Sequence, residues 1–263
     1  MANEYYQLSW WDLLISLVFI LMTIGMIRFW RLNLGGSLVI GTIRSFAQLT
    51  FMGYALTFIF NQQHWAFMTG LLLLMILVAS YEAYRRQQKR IPKFFPMVLG
   101  SLTLTAIIIL GTALHFILDV KPWYNPYVAI PIAGMMLGNA MNSVSLTANR
   151  FVAEMEHREK EIETLLSLGA TPKQAALDAL RESIRASLIP SINTLMTVGL
   201  VQLPGMMTGQ ILAGVSPALA VRYQIMIMYM WVTTATMVNT FTLTLIYRRY
   251  FTARMQLRRE LLH

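Results

Sequence analysis

Apolar residues run along this chain in blocks about one bilayer long, divided by short polar stretches. A helix needs about 20 mostly apolar residues to cross the hydrocarbon. On that measure the pattern predicts seven crossing helices: Trp10–Ile27, Gly35–Phe60, Trp65–Tyr81, Pro96–Leu118, Tyr127–Ala148, Ser187–Ala213 and Ala218–Tyr247. Several exceed the minimum, so tilt or extension past the lipid is expected. The expected fold class is an all-α integral membrane protein with seven transmembrane helices, its residues 1–263 forming a single transmembrane domain.

Most connections are too short to fold by themselves, among them "NQQH", "DVKPWYNP" and "GVSP". The one large polar insertion is 149–186, between the fifth and sixth spans. Its first part, "RFVAEMEHREKEIETLLSL", puts Phe151, Met155, Ile162 and Leu166 on one helical stripe. Glu154 with Arg158, and Glu156 with Lys160, are spaced as i,i+4 pairs on the wet side. Gly169 ends that helix, as glycine does just past a helix C-terminus. A second helix then restarts with Thr171 as N-cap, Pro172 in the first turn and Gln174 closing a capping box. Its expected apolar stripe is Ala176, Leu180, Ile184 and Leu188, running into the sixth span. The tail 248–263 reads as a basic extension of the seventh.

Composition agrees with the pattern. Hydrophobic residues make up 56% of the chain, charged residues only 13%, and the mean hydropathy is +0.54. A soluble domain carries about 25% charged residues. Charge then sets orientation, because Lys and Arg concentrate in cytoplasmic loops. With the N-terminus outside and the C-terminus cytoplasmic, the cytoplasmic segments hold 18 of the 21 Lys and Arg. Lys121 and Arg222 fall outside, and Arg44 falls inside the second span. The net charge of +9 is therefore a topology signal, and the basic cytoplasmic face suits anionic lipid. No soluble basic face with interleaved aromatics is present, so no nucleic-acid partner is expected. The chain has no Cys, which excludes disulfides and thiolate chemistry. The first span is not expected to be a cleaved signal, because the leader "MANEYYQLSWWD" carries Glu4 and Asp12 and no Lys or Arg.

The insertion resembles the cytoplasmic loop of ABC importer-type permeases. There a Glu, six residues before a Gly, opens a helix that docks on a separate ATPase. Here Glu163 and Gly169 hold that spacing, although Thr164 and Leu165 stand where that family prefers two alanines. The resemblance implies coupling residues at Glu163, Leu166, Gly169, Ala170, Thr171 and Pro172. Longer segments sharpen it. "IPIAGMMLGNAM", "LSLGATPKQA", "IRASLIPSINTLMTVGLVQLPGMMTGQILAG" and "RYQIMIMYM" together resemble the FetB-type iron-export permeases, a family that also contains plant aluminium-tolerance permeases. The likeness covers essentially all seven spans. It implies a seven-span permease in the cell (plasma) membrane, a homodimer paired with two copies of a separate ABC ATPase. It also implies iron as the exported cargo. The residues agree on one point. No G-x-x-x-x-G-K-[ST] occurs, so ATP and Mg would be held by the partner, and no cofactor is expected on this chain.

Two spans share an echo. Pro131 precedes "GMMLGN" (134–139), and Pro204 precedes "GMMTGQ" (205–210). Gly-x-x-x-Gly in each fits close helix packing. It equally fits a pathway lined by Met135, Met136, Asn139, Met206, Met207 and Gln210, with the prolines freeing carbonyls toward a cavity. Arg44 and Gln48, four apart in the second span, belong on one face. An intramembrane Arg faces protein or water, in a structural or an anion-binding role. Asn139, Asn142 and Gln202 are candidate partners for it.

Metal chemistry bounds the cargo site. Iron(II) favours His and carboxylate, whereas thioether sulfur favours Cu(I). None of His64, His115, His157 and His263 is central in a span, and no carboxylate is. A weak transit site or a chelated metal is therefore expected, and the metal ligands stay unassigned. An importer-type permease and a non-transporting membrane scaffold remain open. A membrane enzyme is disfavoured, because no nucleophile–base set and no H-E-x-x-H occurs.

Overall fold

The computed structural model describes residues 9–61 and 64–262. Glu4 and His263 lie outside them. The described residues form ten α-helices, with no strand beyond two isolated bridges. In chain order these are α1 (Trp10–Phe29), α2 (Gly35–Phe60), α3 (Trp65–Arg85), α4 (Phe94–Thr112), α5 (Pro126–His157), α6 (Glu159–Ser167), α7 (Pro172–Ala175), α8 (Leu177–Thr197), α9 (Gly205–Leu212) and α10 (Pro217–Ile246). A π-helical turn, Ala113–Ile117, continues α4. Three segments are long and apolar enough to cross a membrane: α1, α3 and α4 with its π turn.

The chain divides into two units. In the first, α1 packs on α2, and Trp10 meets Phe46 edge-on at 6.5 Å. Ser9 caps α1 through a capping box with Asp12. Neither helix builds a core. α1 buries no residue, α2 buries only Ile59, and Phe19 and Phe51 are largely exposed. Continuous exposed apolar surface suits lipid rather than water.

The second unit is a bundle in which α5 and α10 are the most surrounded helices. α10 packs on α5, α4 and α8, and α5 also packs on α8, α3 and α4. The buried line of α5 is Ala129, Ala133, Ala140, Val144, Ala148, Phe151 and Met155, mostly small residues that let backbones approach. α8 corrects the expected stripe. Leu180, Ile184 and Leu188 are only half-buried, while Ala179, Ser183, Ser187 and Ser191 are buried. Small side chains win there because α8 lies close to both α5 and α10.

One polar knot joins the three helices. The Asn239 amide, fully buried on α10, donates to Ser143 Oγ on α5 at 2.8 Å and to Ser187 Oγ on α8 at 2.9 Å. Interhelical hydrogen bonds in membrane proteins contribute about 0.6 kcal/mol each, at most about 1.7. Asn239→Leu is therefore expected to cost about 1–2 kcal/mol, read as a lowered unfolding midpoint in mixed detergent with SDS.

Three further expectations are corrected. The sixth span is not one helix: α8 stops at Thr197, and α9 starts only at Gly205. Gly199 sits at φ +85°, and Pro204 has no N–H and disfavours helix at the residue before it. The first helix of the insertion, expected as one unit over 150–168, is split: its start continues α5 to His157, and α6 begins at Glu159 after a break at Arg158. The tail does not extend α10. A 3-10 turn at Tyr247–Tyr250 is followed by a reversal in which Phe251 bridges to Leu257.

Candidate functional site

The break between α8 and α9 borders a cavity of about 380 Å³ within the second unit. α5 contributes Met135, Met136, Asn139 and Asn142 to its lining. The break and the start of α9 contribute Gln202 and Met206, and α10 contributes Gln224, Met230 and Trp231. The structure thus brings together four residues singled out from sequence: Met135, Met136, Asn139 and Met206. Met207 and Gln210 are not among the lining residues, and Gln210 Oε1 is buried without a hydrogen-bond partner. Arg44 and Gln48 stand exposed on α2, in the other unit.

The lining is mostly apolar, with four amides and an indole but no charge. No Asp, Glu, His, Lys or Arg borders the cavity, and no cluster of three metal-ligating residues occurs among the described residues. Asn139 donates to the Trp231 carbonyl at 3.0 Å, which fixes α5 against α10, and Asn142 accepts from Arg86. Two polar atoms stay unpartnered, Gln224 Oε1 and Trp231 Nε1. A buried acceptor and a buried donor without a protein partner are costly, so each is available to hydrogen-bond a polar guest in the cavity. Sequence reasoning missed Gln224, Met230 and Trp231. A lone amide and an indole in an apolar run carry no motif.

Within the 149–186 insertion, the glycine turn and the cap after it form as the sequence spells them. α6 ends in a Schellman motif: the Gly169 N–H reaches the Leu166 carbonyl, the Ala170 N–H reaches that of Leu165, and Gly169 takes φ +90°. Thr171 and Gln174 then form the capping box of α7. α7 is a single turn, parted from α8 at Ala176. Ala170, Thr171 and Pro172 follow directly on the turn, and Leu168 at its apex is 79% exposed.

Glu163, half-buried on α6, is held by Arg259 of the tail. Both guanidinium–carboxylate hydrogen bonds form, Nε–Oε1 at 2.6 Å and Nη2–Oε2 beside it. Arg259 Nε also lies 3.1 Å from Glu159. The hydrogen bonds from Arg259 hold the Glu163 carboxyl below the usual carboxylate range. The pair's contribution is therefore complete above the ordinary carboxylate pKa, and it is lost as pH falls through the lowered one. Glu156 takes Lys89 Nζ at 2.7 Å rather than the expected Lys160, whereas Glu154 pairs with Arg158 as expected and also with Arg150. Tyr250 is buried edge-on against Phe151 at 5.6 Å, and burial pushes its phenol up, with the Glu156 charge adding to the shift.

Comparison with known proteins places this architecture. Residues 10–251 match the family described as "Uncharacterised protein family (UPF0014)". The chain belongs to the UPF0014 family. The UPF0014 membrane protein slr1647 of Synechocystis is 39% identical over 258 residues, covering 98% of this chain and 99% of its own length. The probable iron export permease protein FetB of Escherichia coli is 39% identical over 222 residues, 81% of each chain. The protein ALUMINUM SENSITIVE 3 of Arabidopsis thaliana is 35% identical over 246 residues, covering 92% of this chain and 87% of that one. The resemblance to the FetB-type permeases and their plant relatives therefore holds, and this UPF0014 chain is a membrane protein of that family. No solved structure matches it.

Proposed function

We propose that the chain is the permease subunit of an ATP-driven ABC transporter that moves iron, or a related metal, out across the cell membrane. The broken sixth span carries the reading. Irregular backbone is tolerated at membrane depth only where protein or a water-filled cavity surrounds it, and transporters place cargo at such breaks. Here the break borders an uncharged cavity holding two unpartnered polar atoms. A relative named as a probable iron export permease supports the cargo. In this reading α1, α2, α3, α4, α5, α8 with α9, and α10 are the seven spans, N-terminus outside and C-terminus cytoplasmic. The Gly169 turn docks on a separate ATPase, which holds ATP and Mg, in an assembly of two permeases and two ATPases. The uncharged lining supports brief passage rather than tight storage.

The test is reconstitution of the chain with its ATPase in proteoliposomes, with radioactive ferrous ion as the probe. ATP-dependent accumulation inside liposomes whose permeases expose their cytoplasmic face outward is the expected result. Accumulation equal to that of empty liposomes plus ATPase would refute the reading.

Orientation has its own test, helped by the absence of native Cys. Asn61→Cys and Tyr124→Cys are expected to react with an impermeant maleimide on intact cells, and Gln87→Cys and His157→Cys only after lysis. Labelling at Gln87→Cys on intact cells would reverse the assignment.

A further inference from the structure

The tail of this chain does more than end it. From Tyr250 to Leu262 it folds back and is fastened at both ends. Tyr250 is buried against Phe151 of α5, and Leu262 is fully buried. The Leu262 carbonyl accepts from Lys89 Nζ at 2.7 Å, and that same ammonium pairs with Glu156 of α5. Lys89 belongs to the turn between α3 and α4. Midway, Arg259 forks onto Glu163 and touches Glu159 one turn earlier on α6.

Apart from the tail, α6 is anchored by a single buried side chain, Ile162. It is parted from α5 at Arg158, where φ is −100° and ψ 14°, and from α7 by the Gly169 turn. Chain continuity alone would let it swing at both joints. The tail closes that freedom by tying α6 to the end of α10 and to the α3–α4 turn. Side-chain exposures of 63% for Arg259 and 32% for Glu163 make this a wet pair. Wet ion pairs contribute little to stability, while a bidentate Arg–carboxylate pair fixes orientation strongly. Its value is therefore register.

We infer that the C-terminal tail is a second transmission strut, with Arg259 as the positioning residue that carries movement of the α6–Gly169 turn to α10 and the α3–α4 turn. This rests on the coupling role proposed above. The Glu163 carboxylate then has an intramolecular task, holding the tail.

The experiment uses the reconstituted complex with ferrous ion as probe, ATP hydrolysis and melting temperature being recorded together. Arg259→Ala is expected to lower ions moved per ATP at least about fivefold while the melting temperature shifts by no more than about 2 degrees, because a wet pair contributes little stability. Arg259→Lys keeps the charge without the fork and is expected to fall between. The exchanged pair Glu163→Arg with Arg259→Glu is expected to recover most of the ratio. A wild-type ratio in Arg259→Ala overturns the inference, as does a loss that follows the melting temperature and resists the exchange. If the wild-type complex moves no ion, the proposed function fails instead, and a second measurement on the permease alone still decides the strut. A nitroxide on Leu168→Cys is expected to become more mobile in Arg259→Ala and to slow again in the exchanged pair. An unchanged spectrum overturns the inference without any partner.

Discussion

A Gly169→Pro chain is expected to insert into the membrane at normal abundance and to lose ATP-driven transport to background. Gly169 takes φ +90°, and its N–H bonds the Leu166 carbonyl. Proline fixes φ near −65° and has no N–H, so the turn between α6 and α7 cannot keep its shape. No neighbouring side chain lies within 4 Å of where a Cβ would stand, so the damage is to the turn and not to packing. Gly169→Ala meets the same conformational objection more gently. A non-glycine residue held in such a region costs on the order of 1–3 kcal/mol, so partial loss is expected. Transport, ATPase co-purification and melting temperature together check it. Wild-type transport with the ATPase still bound in Gly169→Pro would remove the coupling assignment.

The second large effect has an unusual sign. Gln224→Leu is expected to lower transport about tenfold, with the melting temperature unchanged or higher. Gln224 is 6% exposed, and its Oε1 has no partner. Exchanging a side chain with an unsatisfied buried oxygen for an apolar one removes that oxygen's desolvation cost, so the fold should not suffer. If that oxygen instead meets cargo, losing one hydrogen bond of about 1.5 kcal/mol corresponds to roughly a factor of ten. Trp231→Phe should behave alike, for the indole N–H. Met135→Leu, Met136→Leu and Met206→Leu conserve volume and should each cost under about 1.5 kcal/mol, with a partial fall in transport as the polarizable sulfur goes. Met207→Leu, off the cavity, should leave transport alone. Activity falling only in step with melting temperature across the set would return these residues to a packing role.

Much of this was legible from sequence, for physical reasons that differ by element. The Gly169 turn and the Thr171–Gln174 box are local chemistry, written within a few residues, and both form as spelled. The long helices were legible from apolar length. Their ends were less so. Hydropathy runs unbroken through "VGLVQLPG", yet Gly199 and Pro204 split the helix there, two breakers outweighing an apolar background. In α5 the opposite happens: the polarity changes after Ala148 while the helix continues to His157, because lipid sets burial and does not set helicity. The return of the tail was hidden because it depends on partners far away in sequence. Arg259 and Glu163 lie 96 residues apart, and Lys89 and Leu262 lie 173 apart. The paired Met motifs pointed to the cavity but overcounted, since only one methionine of "GMMTGQ" reaches it.

The unbroken length of α5 has a mechanical consequence. At 1.5 Å per residue its 32 residues make a rod of about 48 Å, well beyond the roughly 30 Å of hydrocarbon. Its middle carries Asn139 at the cavity, and its C-terminal end passes Met155 just before the joint with α6. About 24 Å of stiff helix separates those two residues. A rotation of only about 5 degrees about Met155 would therefore displace Asn139 by about 2 Å, enough to break its bond to the Trp231 carbonyl, since hydrogen bonds do not survive beyond about 3.5 Å. A small rotation at the joint of α5 with α6 is thus amplified by leverage into a displacement at the cavity wall, and Ser143, on the same lever, must shift against Asn239 as it happens.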